Sequence, residues 1–456
     1  MMKKIVKIKS SLITDAVCSL CKKASYFLPE DVYRAIKSVP QTDEILANAA
    51  IAAQRQRPIC QDTGVAVVFV DVGQDVHIEG DLLELAVNKG VEKGYKEGFL
   101  RKSIVENPIW NRKNTQTNTP AVIHTKIIPG NSIKISIVLK GAGSENMSAV
   151  KMLKPSDGEQ GIIDFVVETV KNNGINSCPP LYVGVGIGGT MEYAAALAKK
   201  TLMRKITPPK NFELKLFEEL KKTGVGVFAI SVETYPCHIA SLPVAVNLNC
   251  HAVRHAEMTI DENTVIPEKL ESKFEIGHKK IDYSSYKKIE LPLKKEDIET
   301  LKAGDKVLLS GELYTARDAA HKNFIESIEN GGKLPVELKN QVIYYTGPCP
   351  AKDSEVIGPA GPTTSGRMDK YTPKLLEQGL KGMIGKGKRS SEVVEAIKQN
   401  KAVYFTATGG TACLLSQKIT ASEVIAYPEL SAEAVYRLKV KDLPVTVCVD
   451  SFGNCV

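Results

Sequence analysis

The sequence lacks any run of about eighteen apolar residues, the length that a membrane-spanning helix needs. Its first residues do not resemble a signal peptide either, because Lys7, Lys9 and the serines after them interrupt the apolar positions. There is no repeat with a period of roughly 20–50 residues and no low-complexity tract. We therefore expect a cytoplasmic globular protein without a membrane partner.

The excess of positive charge is small. The chain has 60 Lys and Arg residues against 52 Asp and Glu residues, a net charge of +8 over 456 residues. A dedicated nucleic-acid-binding protein concentrates its basic charge on one face, so this balance favours small anions as ligands and predicts no nucleic-acid partner. With 43% hydrophobic and 25% charged residues, the composition also excludes a disordered or collagen-like chain.

Cysteine is too sparse for a secreted disulfide framework. Ten cysteines are scattered over 456 residues, and we expect most of them to be reduced and buried as small hydrophobic side chains. Cys18 and Cys21, in CSLC, form the one closely spaced pair, and no second pair is present to complete a zinc ribbon.

Hydrophobic patterning predicts an α/β protein. Asp31 is expected to cap a helix, and further helices are expected at 41–53, 80–95, 160–171, 191–203, 318–330 and 391–400. Strands are expected at 65–73, 121–128, 132–140, 225–235, 241–250, 305–316, 335–347, 401–410 and 443–454. The length is enough for roughly two to four domains, and a Lys-, Glu- and Ser-rich stretch suggests a linker near 278–292. We expect two unequal α/β domains.

A glycine-rich segment, VGVGIGG (183–189), is expected to form a turn. Gly184, Gly186 and Gly189 match G-x-G-x-x-G between a short possible strand and a helix, as in a dinucleotide-binding site. The acidic residue expected about twenty positions later is missing, because that stretch reads LMRKITPPKN. Close packing or a small anion at the helix start is the better interpretation, and an NAD-dependent dehydrogenase is a distant alternative.

Three cysteines lie where a strand and a loop are expected to meet. They are Cys60 in RPICQDTGV, Cys178 in NSCPPLYVG and Cys250 at the end of SLPVAVNLNC. Three thiolates without a fourth would suit an iron–sulfur cluster that leaves one iron open to act as a Lewis acid. Spacing alone does not distinguish this from three buried thiols.

Groups that bind anions are frequent in the second half of the chain. Arg317 opens a predicted helix, Thr363 and Thr364 precede Arg367, and Lys386 lies between glycines. In the predicted first domain, Arg101, the turn GAGSEN and the pair Cys237–His238 are comparable. Because guanidinium groups bind carboxylates through two parallel hydrogen bonds, several such groups would suit a small dicarboxylate.

Taken together, the motifs resemble those of the class I fumarate hydratase family, the iron–sulfur family that also contains L-tartrate dehydratase. The matching segments, which span nearly the whole chain, are CQDTG (60–64), LRKSIVENP (100–108), KGAGSENMS (140–148), SCPP (177–180), GVGIGGTMEYAAALAKK (184–200), HIASLPVAVNLNCHAVRH (238–255), TARDAAHK (315–322), GPTTSGRMD (361–369) and MIGKGK (383–388). The resemblance implies a larger mixed α/β N-terminal domain and a smaller C-terminal swivelling β/β/α-type domain. It places the cluster-binding α-type domain at 1–283 and the substrate-binding β-type domain at 290–456, parts that some relatives keep as separate subunits.

The resemblance also implies the chemistry. It predicts a [4Fe-4S] cluster held by Cys60, Cys178 and Cys250, with Cys237 as the rival for the third position. It assigns dicarboxylate binding to Gln61, Arg101, Gly143, Arg317, Thr364, Arg367 and Lys386, and acid–base roles to Asp62, His238 and Thr363. The implied reaction is reversible hydration of fumarate to (S)-malate by a homodimer, with tartrate dehydration and mesaconate hydration as the nearest alternatives. Cys349, which precedes the TT pair, has no role in this scheme.

Overall fold

The computed structural model describes residues 5–110, 112–272, 274–278 and 280–456. The chain divides into two compact units. Unit 1 comprises Met1–Thr42 and Ala52–Gly277, and unit 2 comprises Asp43–Ile51 and His278–Val456. Both units contain helices and sheets, which confirms the predicted mixed α/β class. Over the described ranges, the search for a helix long and apolar enough to cross a membrane finds none.

The elements of unit 1 include most of the predicted strands and helices. The strands are β1 (Val6–Lys9), β2 (Val65–Gly73), β3 (Val76–Glu79), β4 (Val122–Ile128), β5 (Ile133–Lys140), β6 (Ala149–Leu153), β7 (Leu181–Gly188), β8 (Val227–Tyr235), β9 (Leu242–Asn249) and β10 (His255–Ile260). The helices are α1 (Ser10–Tyr26), α2 (Glu30–Lys37), α3 (Asp43–Arg55), of which the first nine residues belong to unit 2, α4 (Leu83–Glu97), α5 (Ala142–Glu145), α6 (Gly158–Asn173), α7 (Met191–Thr201) and α8 (Asn211–Lys221).

Two four-stranded sheets position the candidate site in unit 1, one with the order β10-β5-β2-β4 and the other β6-β9-β7-β8. In the first sheet, β2 begins opposite the last residue of β5, where Val65 pairs with Lys140. The segment before β2 and the turn after β5 therefore leave the sheet at the same edge. In the second sheet, Tyr182 near the start of β7 pairs with Asn249 at the end of β9. Cys178 and Cys250 consequently flank one sheet edge as well.

The glycine-rich segment is a strand, so the predicted turn is wrong. All eight residues of β7 are buried, and the strand pairs with both β8 and β9. A β-carbon at Gly184 would overlap the carbonyl oxygen of Ala198, and one at Gly186 would overlap that of Ala194. The glycines thus allow α7 to pack directly on β7, which supports the packing interpretation of the G-x-G-x-x-G pattern.

The predicted cap at Asp31 is also wrong. Helix α2 begins one residue earlier, with Pro29 in the cap position. Asp31 lies in the first turn, and its carboxylate accepts a hydrogen bond from the backbone amide of Ile206 at 2.6 Å. The side chain is therefore hydrogen-bonded to a loop of unit 1 that is distant in sequence, and it does not cap its own helix.

Unit 2 is built around one seven-stranded sheet. Its strands are β11 (Lys287–Glu290), β12 (Lys306–Thr315), β13 (Val342–Tyr344), β14 (Gly382–Gly385), β15 (Val403–Thr406), β16 (Ile419–Ala426) and β17 (Val435–Val449). Its remaining helices are α9 (Lys295–Thr300), α10 (Asp318–Glu329), α11 (Thr372–Glu377), α12 (Ser391–Gln399) and α13 (Ala412–Ser416). Strand β17 pairs antiparallel with both β12 and β15, so the sheet closes on itself. One cluster of buried hydrophobic side chains fills the interior of the closed sheet. A second cluster packs α10, α11 and α12 against the sheet.

The start of α3 belongs to the packing of unit 2. Asn48 is fully buried, and its side-chain amide donates to the carbonyl oxygen of Gly410 at 3.1 Å. Its side-chain oxygen accepts a hydrogen bond from the amide of Leu414 at 3.0 Å. Both partners flank the start of α13, so one asparagine satisfies two backbone groups at that helix.

Candidate functional site

Three of the predicted cysteines are electrostatic neighbours in unit 1. Cys60 is buried between α3 and β2, Cys250 is buried directly after β9, and Cys178 is half-buried before β7. Burial raises the pKa of the Cys60 thiol to about 12, and Arg254 opposes this rise. The negative charges that Cys250, Asp62 and Cys178 can carry raise the same pKa further. The fold thus gathers three thiols whose sequence positions are far apart.

Cys237, the rival for the third position, is placed differently. It is exposed, and its thiol lies 3.3 Å from the carbonyl oxygen of Ser241 in its own loop. The close pair in α1 is also separate from the three thiols. Burial raises the pKa of Cys18 to about 11 and raises that of Cys21 further, as expected for inert structural thiols.

Among the described residues, no group of three His, Cys, Asp or Glu side chains is arranged to hold one metal ion. The donor set of Cys60, Cys178 and Cys250 consists of thiols alone, and thiolates are the ligands that iron–sulfur clusters use. A buried nitrogen beside these thiols, Nη1 of Arg254, has no hydrogen-bond partner in the described part of the chain. Soft donors next to an unsatisfied cation fit an anionic sulfur cluster better than a single hard cation.

Asp62 lies at the sheet edge where β2 begins and β5 ends. Its Oδ1 atom is 3.4 Å from Nη2 of Arg101, which is itself buried. The backbone amide of Gly143 donates to Oδ2 at 3.4 Å. The carboxylate is therefore oriented by a cation and by the GAGSEN turn, and 22% of its side chain stays exposed to receive a ligand.

Gln61 and His238 lie in contrasting surroundings. Gln61 is buried, and the Cys60 thiol donates to its Oε1 atom at 3.4 Å. His238 lies on an exposed loop after β8, where its Nδ1 atom accepts a hydrogen bond from the amide of Ala240 at 3.1 Å. The structure therefore orients Asp62 through Arg101 and Gly143, and the acid–base role of His238 stays a prediction.

Two buried cations near the thiols were missed by the sequence analysis. Arg254 follows Cys250 by four residues, and Lys140 ends β5. The Lys140 ammonium donates to the hydroxyl of Ser144 at 2.6 Å and to the carbonyl oxygen of Leu248 at 2.7 Å. Burial lowers the pKa of Lys140 to about 8. Burial of either charge depends on strand pairing, which local sequence does not reveal, although the motifs KGAGSEN and HAVRH contain both residues.

In unit 2, Thr363 and Lys386 are connected through their backbones. The Lys386 amide donates to the carbonyl oxygen of Thr363 at 3.0 Å, and the Ser365 amide donates to the carbonyl oxygen of Lys386 at 2.9 Å. Thr364 and Lys386 consequently form a parallel bridge. The predicted base and the predicted cation are thus brought together, with Thr363 buried and Lys386 half-buried.

Arg317 and Arg367 are connected through acidic side chains that the sequence analysis did not select. Nη2 of Arg317 lies 3.2 Å from Oε1 of Glu433, and Nη2 of Arg367 lies 3.2 Å from Oδ2 of Asp318. Asp318 is also 3.9 Å from Arg317, so its carboxylate lies between the two guanidinium groups. Glu433 additionally accepts the amide of Ala319 in the first turn of α10 at 2.9 Å. These carboxylates fix the orientation of both arginines.

Unit 1 thus brings three thiols and an oriented carboxylate near one another, and unit 2 holds two arginines through acidic side chains. The family described as fumarate hydratase (Fumerase) matches residues 14–259. The family described as the fumarase C-terminus matches residues 253–456. The chain belongs to the class I fumarate hydratase family and is a lyase of the hydro-lyase type.

Individual relatives agree with the family match. The aerobic class I fumarate hydratase of Escherichia coli K12 is 31% identical over 456 residues, covering 90% of this chain and 81% of the relative. Fumarate hydratase 2 of Leishmania major is 31% identical over 448 residues, covering 90% and 78%. A putative L(+)-tartrate dehydratase subunit alpha of Methanocaldococcus jannaschii is 38% identical over 276 residues, covering 54% of this chain and 96% of the relative.

Proposed function

We propose that the protein catalyses the reversible hydration of fumarate to (S)-malate. The observation that carries the proposal is the placement of Asp62, whose carboxylate is held by Arg101 and Gly143 beside the three thiols. The fumarate hydratase names of the relatives that align over 90% of the chain support this choice of substrate.

We propose that Cys60, Cys178 and Cys250 hold a [4Fe-4S] cluster. Their all-thiol donor set and the neighbouring charge of Arg254 support this assignment. When bound, such a cluster supplies a Lewis-acidic iron for a substrate oxygen. Cys250 is the better third ligand than Cys237, because Cys250 is a buried electrostatic neighbour of Cys60 while Cys237 is exposed. We also expect the enzyme to be sensitive to oxygen, because the proposed cluster and its cysteine ligands can be oxidised.

In the hydration direction, Asp62 is proposed to accept a proton from the attacking water, and in dehydration to return it to the departing hydroxyl. A carboxylate oriented by Arg101 and the Gly143 amide is ready to accept in one direction and to donate in the other. His238 is proposed to assist this exchange, although its ring contacts only its own loop among the described residues.

Thr363 is proposed to exchange the proton at C3 of the diacid. A threonine hydroxyl is a weak base, so the role depends on nearby positive charge that favours its alkoxide. The backbones of Lys386 and Thr363 are hydrogen-bonded, and we propose that the Lys386 ammonium supplies this charge. Removal of the C3 proton increases the negative charge on the adjacent carboxylate, which cationic groups stabilise.

Recognition of the diacid is assigned to groups in each unit. In unit 1 these are Gln61, Arg101 and Gly143. In unit 2 they are Arg317, Thr364, Arg367 and Lys386. The ion pairs of Arg317 with Glu433 and of Arg367 with Asp318 hold the guanidinium planes before substrate arrives, which lowers the entropy lost on binding.

The test is anoxic purification followed by parallel assays with fumarate, tartrate and mesaconate, together with iron and sulfide analysis. We expect four irons and four sulfides per chain when the cluster is complete, and the highest kcat/KM with fumarate. A metal-free preparation that hydrates fumarate at full rate would contradict the proposed cofactor. Preference for tartrate would favour the second candidate, L-tartrate dehydration, which the 38% identical relative supports.

The proposal extends to the location, the metabolic role and the oligomeric state of the enzyme. We propose that the enzyme is cytoplasmic, acts in the tricarboxylic acid cycle and works as a homodimer. Size-exclusion chromatography with light scattering tests the dimer, and cell fractionation tests the location.

A further inference from the structure

Arg254 is a buried cation, and one of its terminal nitrogens lacks a hydrogen-bond partner among the described residues. Only 2% of the residue is exposed, and its Nε atom donates to the carbonyl oxygen of Leu139 at 3.1 Å. Its Nη1 atom is buried and has no hydrogen-bond partner among the described residues. A guanidinium is always charged in proteins, and a buried charge without an anion is strongly unfavourable. The residue therefore requires an anionic partner close to Nη1.

The position of the guanidinium is fixed by the fold of unit 1. His255 pairs with Val138, which places Arg254 beside the end of β5. A β-carbon at Gly141 would lie 2.6 Å from Nη2 of Arg254 and 3.1 Å from Oδ2 of Asp62. Glycine thus lets the cation and the carboxylate approach the same piece of backbone. Because of this close approach, the Arg254 guanidinium has a defined position in the interior of unit 1, unlike an arginine on the surface.

The anions around Arg254 are the predicted cluster ligands and Asp62. Burial disfavours the charged form of Arg254, but the fields of Cys250, Cys60 and Asp62 outweigh it and raise its pKa. Two cysteine sulfurs and one carboxylate are therefore the electrostatic neighbours of a single buried guanidinium.

We infer that Arg254 is a positioning residue that donates a hydrogen bond from Nη1 to the anionic sulfur-ligated group held by Cys60 and Cys250, and that it raises the reduction potential of that group. The inference rests on the proposed cluster. A positive charge or a hydrogen bond close to cluster sulfur stabilises the more negative, reduced state, so the potential rises. A higher potential makes oxidation harder, and Arg254 consequently slows loss of iron in air.

The test compares the anoxically purified wild type with Arg254→Met and Arg254→Lys. The methionine keeps much of the side-chain volume without charge, whereas the lysine keeps the charge but not the forked donors. Arg204→Met is the matched control, because it removes a partly exposed arginine of unit 1 that pairs with Glu213 and Glu233. Each protein is measured for iron and sulfide content, for midpoint potential by spectroelectrochemistry, and for the rate of iron loss in air.

We expect Arg254→Met to have a lower potential and severalfold faster iron loss, Arg254→Lys to lie between it and wild type, and Arg204→Met to match wild type. Wild-type potential and iron loss in Arg254→Met would overturn the inference and leave the proposed function standing. If Arg254→Met fails to fold, Arg254→Gln, which also lacks the charge, replaces it, and a wild-type potential in that variant overturns the inference in the same way. A wild-type protein without iron and sulfide would overturn the proposed cofactor, and the inference with it.

Discussion

Arg389 donates from Nε to Oδ1 of Asp369 at 2.7 Å, and its side chain is fully buried. The same guanidinium donates from Nη2 to the hydroxyl of Thr372 at 2.6 Å and lies over the ring of Tyr404. Asp369 ends the GPTTSGRMD motif, and Arg389 follows MIGKGK. This one pair therefore connects the two segments that carry Thr363 and Lys386.

Removing either partner should destabilise unit 2 strongly. Arg389→Met leaves the Asp369 carboxylate without its cation, and breaking a buried pair in this way costs about 3–5 kcal/mol. We expect the loss in the free energy of unfolding measured with urea, together with a lower kcat because Thr363 and Lys386 lose their support. Asp369→Asn should act in the same direction.

The exposed pair of Arg437 and Glu423, 2.6 Å apart, provides the control. Exposed ion pairs contribute little to stability because water screens them, so Arg437→Met should unfold at nearly the wild-type urea concentration. Equal losses in the two arginine variants would show that burial of the Arg389 pair does not matter.

The third cluster ligand can be tested with matched serine variants. Cys250→Ser removes a buried neighbour of Cys60, and we expect loss of bound iron and of activity together. Cys237→Ser changes an exposed thiol and should keep wild-type iron and sulfide content. The reverse pattern in anoxic metal analysis would assign the position to Cys237.

Gly186 should tolerate no side chain. Gly186→Ala would force its β-carbon into the carbonyl oxygen of Ala194, so α7 must move away from β7. Such overpacking costs roughly 1–3 kcal/mol, which a urea or thermal unfolding curve measures. Gly226→Ala is the control, since its β-carbon would lie 3.5 Å from the nearest atom, an ordinary contact. Wild-type stability in Gly186→Ala would contradict the packing role.

His321 should make stability fall in acid. Burial lowers its pKa in the folded state from 6.5 to about 4, with the hydrogen bond to the Arg317 carbonyl oxygen only partly opposing the change. Between about pH 6.5 and 4 the unfolded chain binds a proton that the folded chain does not, so stability decreases as the pH is lowered through this window. The full effect is about 3 kcal/mol at most.

The variant His321→Asn tests this titration. Its side-chain amide can still donate to the Arg317 carbonyl oxygen but cannot be protonated in this range. Urea unfolding across pH 4 to 7 should therefore show a weaker dependence on pH than wild type, with a constant difference above pH 7. An identical slope in both proteins would rule out His321 as the titrating group.

Local sequence predicted elements best where the side chains themselves carry the signal. The β-branched residues of β2, β8 and β9 identified these strands within one or two residues. The glycine-rich part of strand β7 was missed because glycines carry no strand preference. The reason for these glycines, which is contact with α7, is visible only in the folded chain. Strand β16 was missed too, since it lies at the end of the sheet with only Ile419 buried, and its sequence has no regular apolar pattern.

The candidate functional residues differ in the same way. The chemically distinctive ones, such as Cys60 and Asp62 in unit 1 and Arg317 in unit 2, lie in motifs that a family resemblance can assign. Arg254, Lys140 and Arg389 were not selected, because an arginine or lysine is usually exposed and burial depends on long-range strand pairing. Sequence motifs therefore identify residues of suitable chemistry. Which arginines and lysines are buried becomes visible only in the folded structure.

The first nine residues of α3 belong to unit 2, which limits where the chain can be cut into separately expressed parts. A relative named as a subunit alpha covers 54% of this chain, and the second stretch of unit 2 starts at His278, so a cut near residue 277 is the obvious division. A fragment beginning there would lack Asn48, leaving the Gly410 carbonyl and the Leu414 amide without the side chain that satisfies them. Independent expression of unit 2 would thus require residues 43–51 to be supplied as well, by circular permutation or as an added peptide.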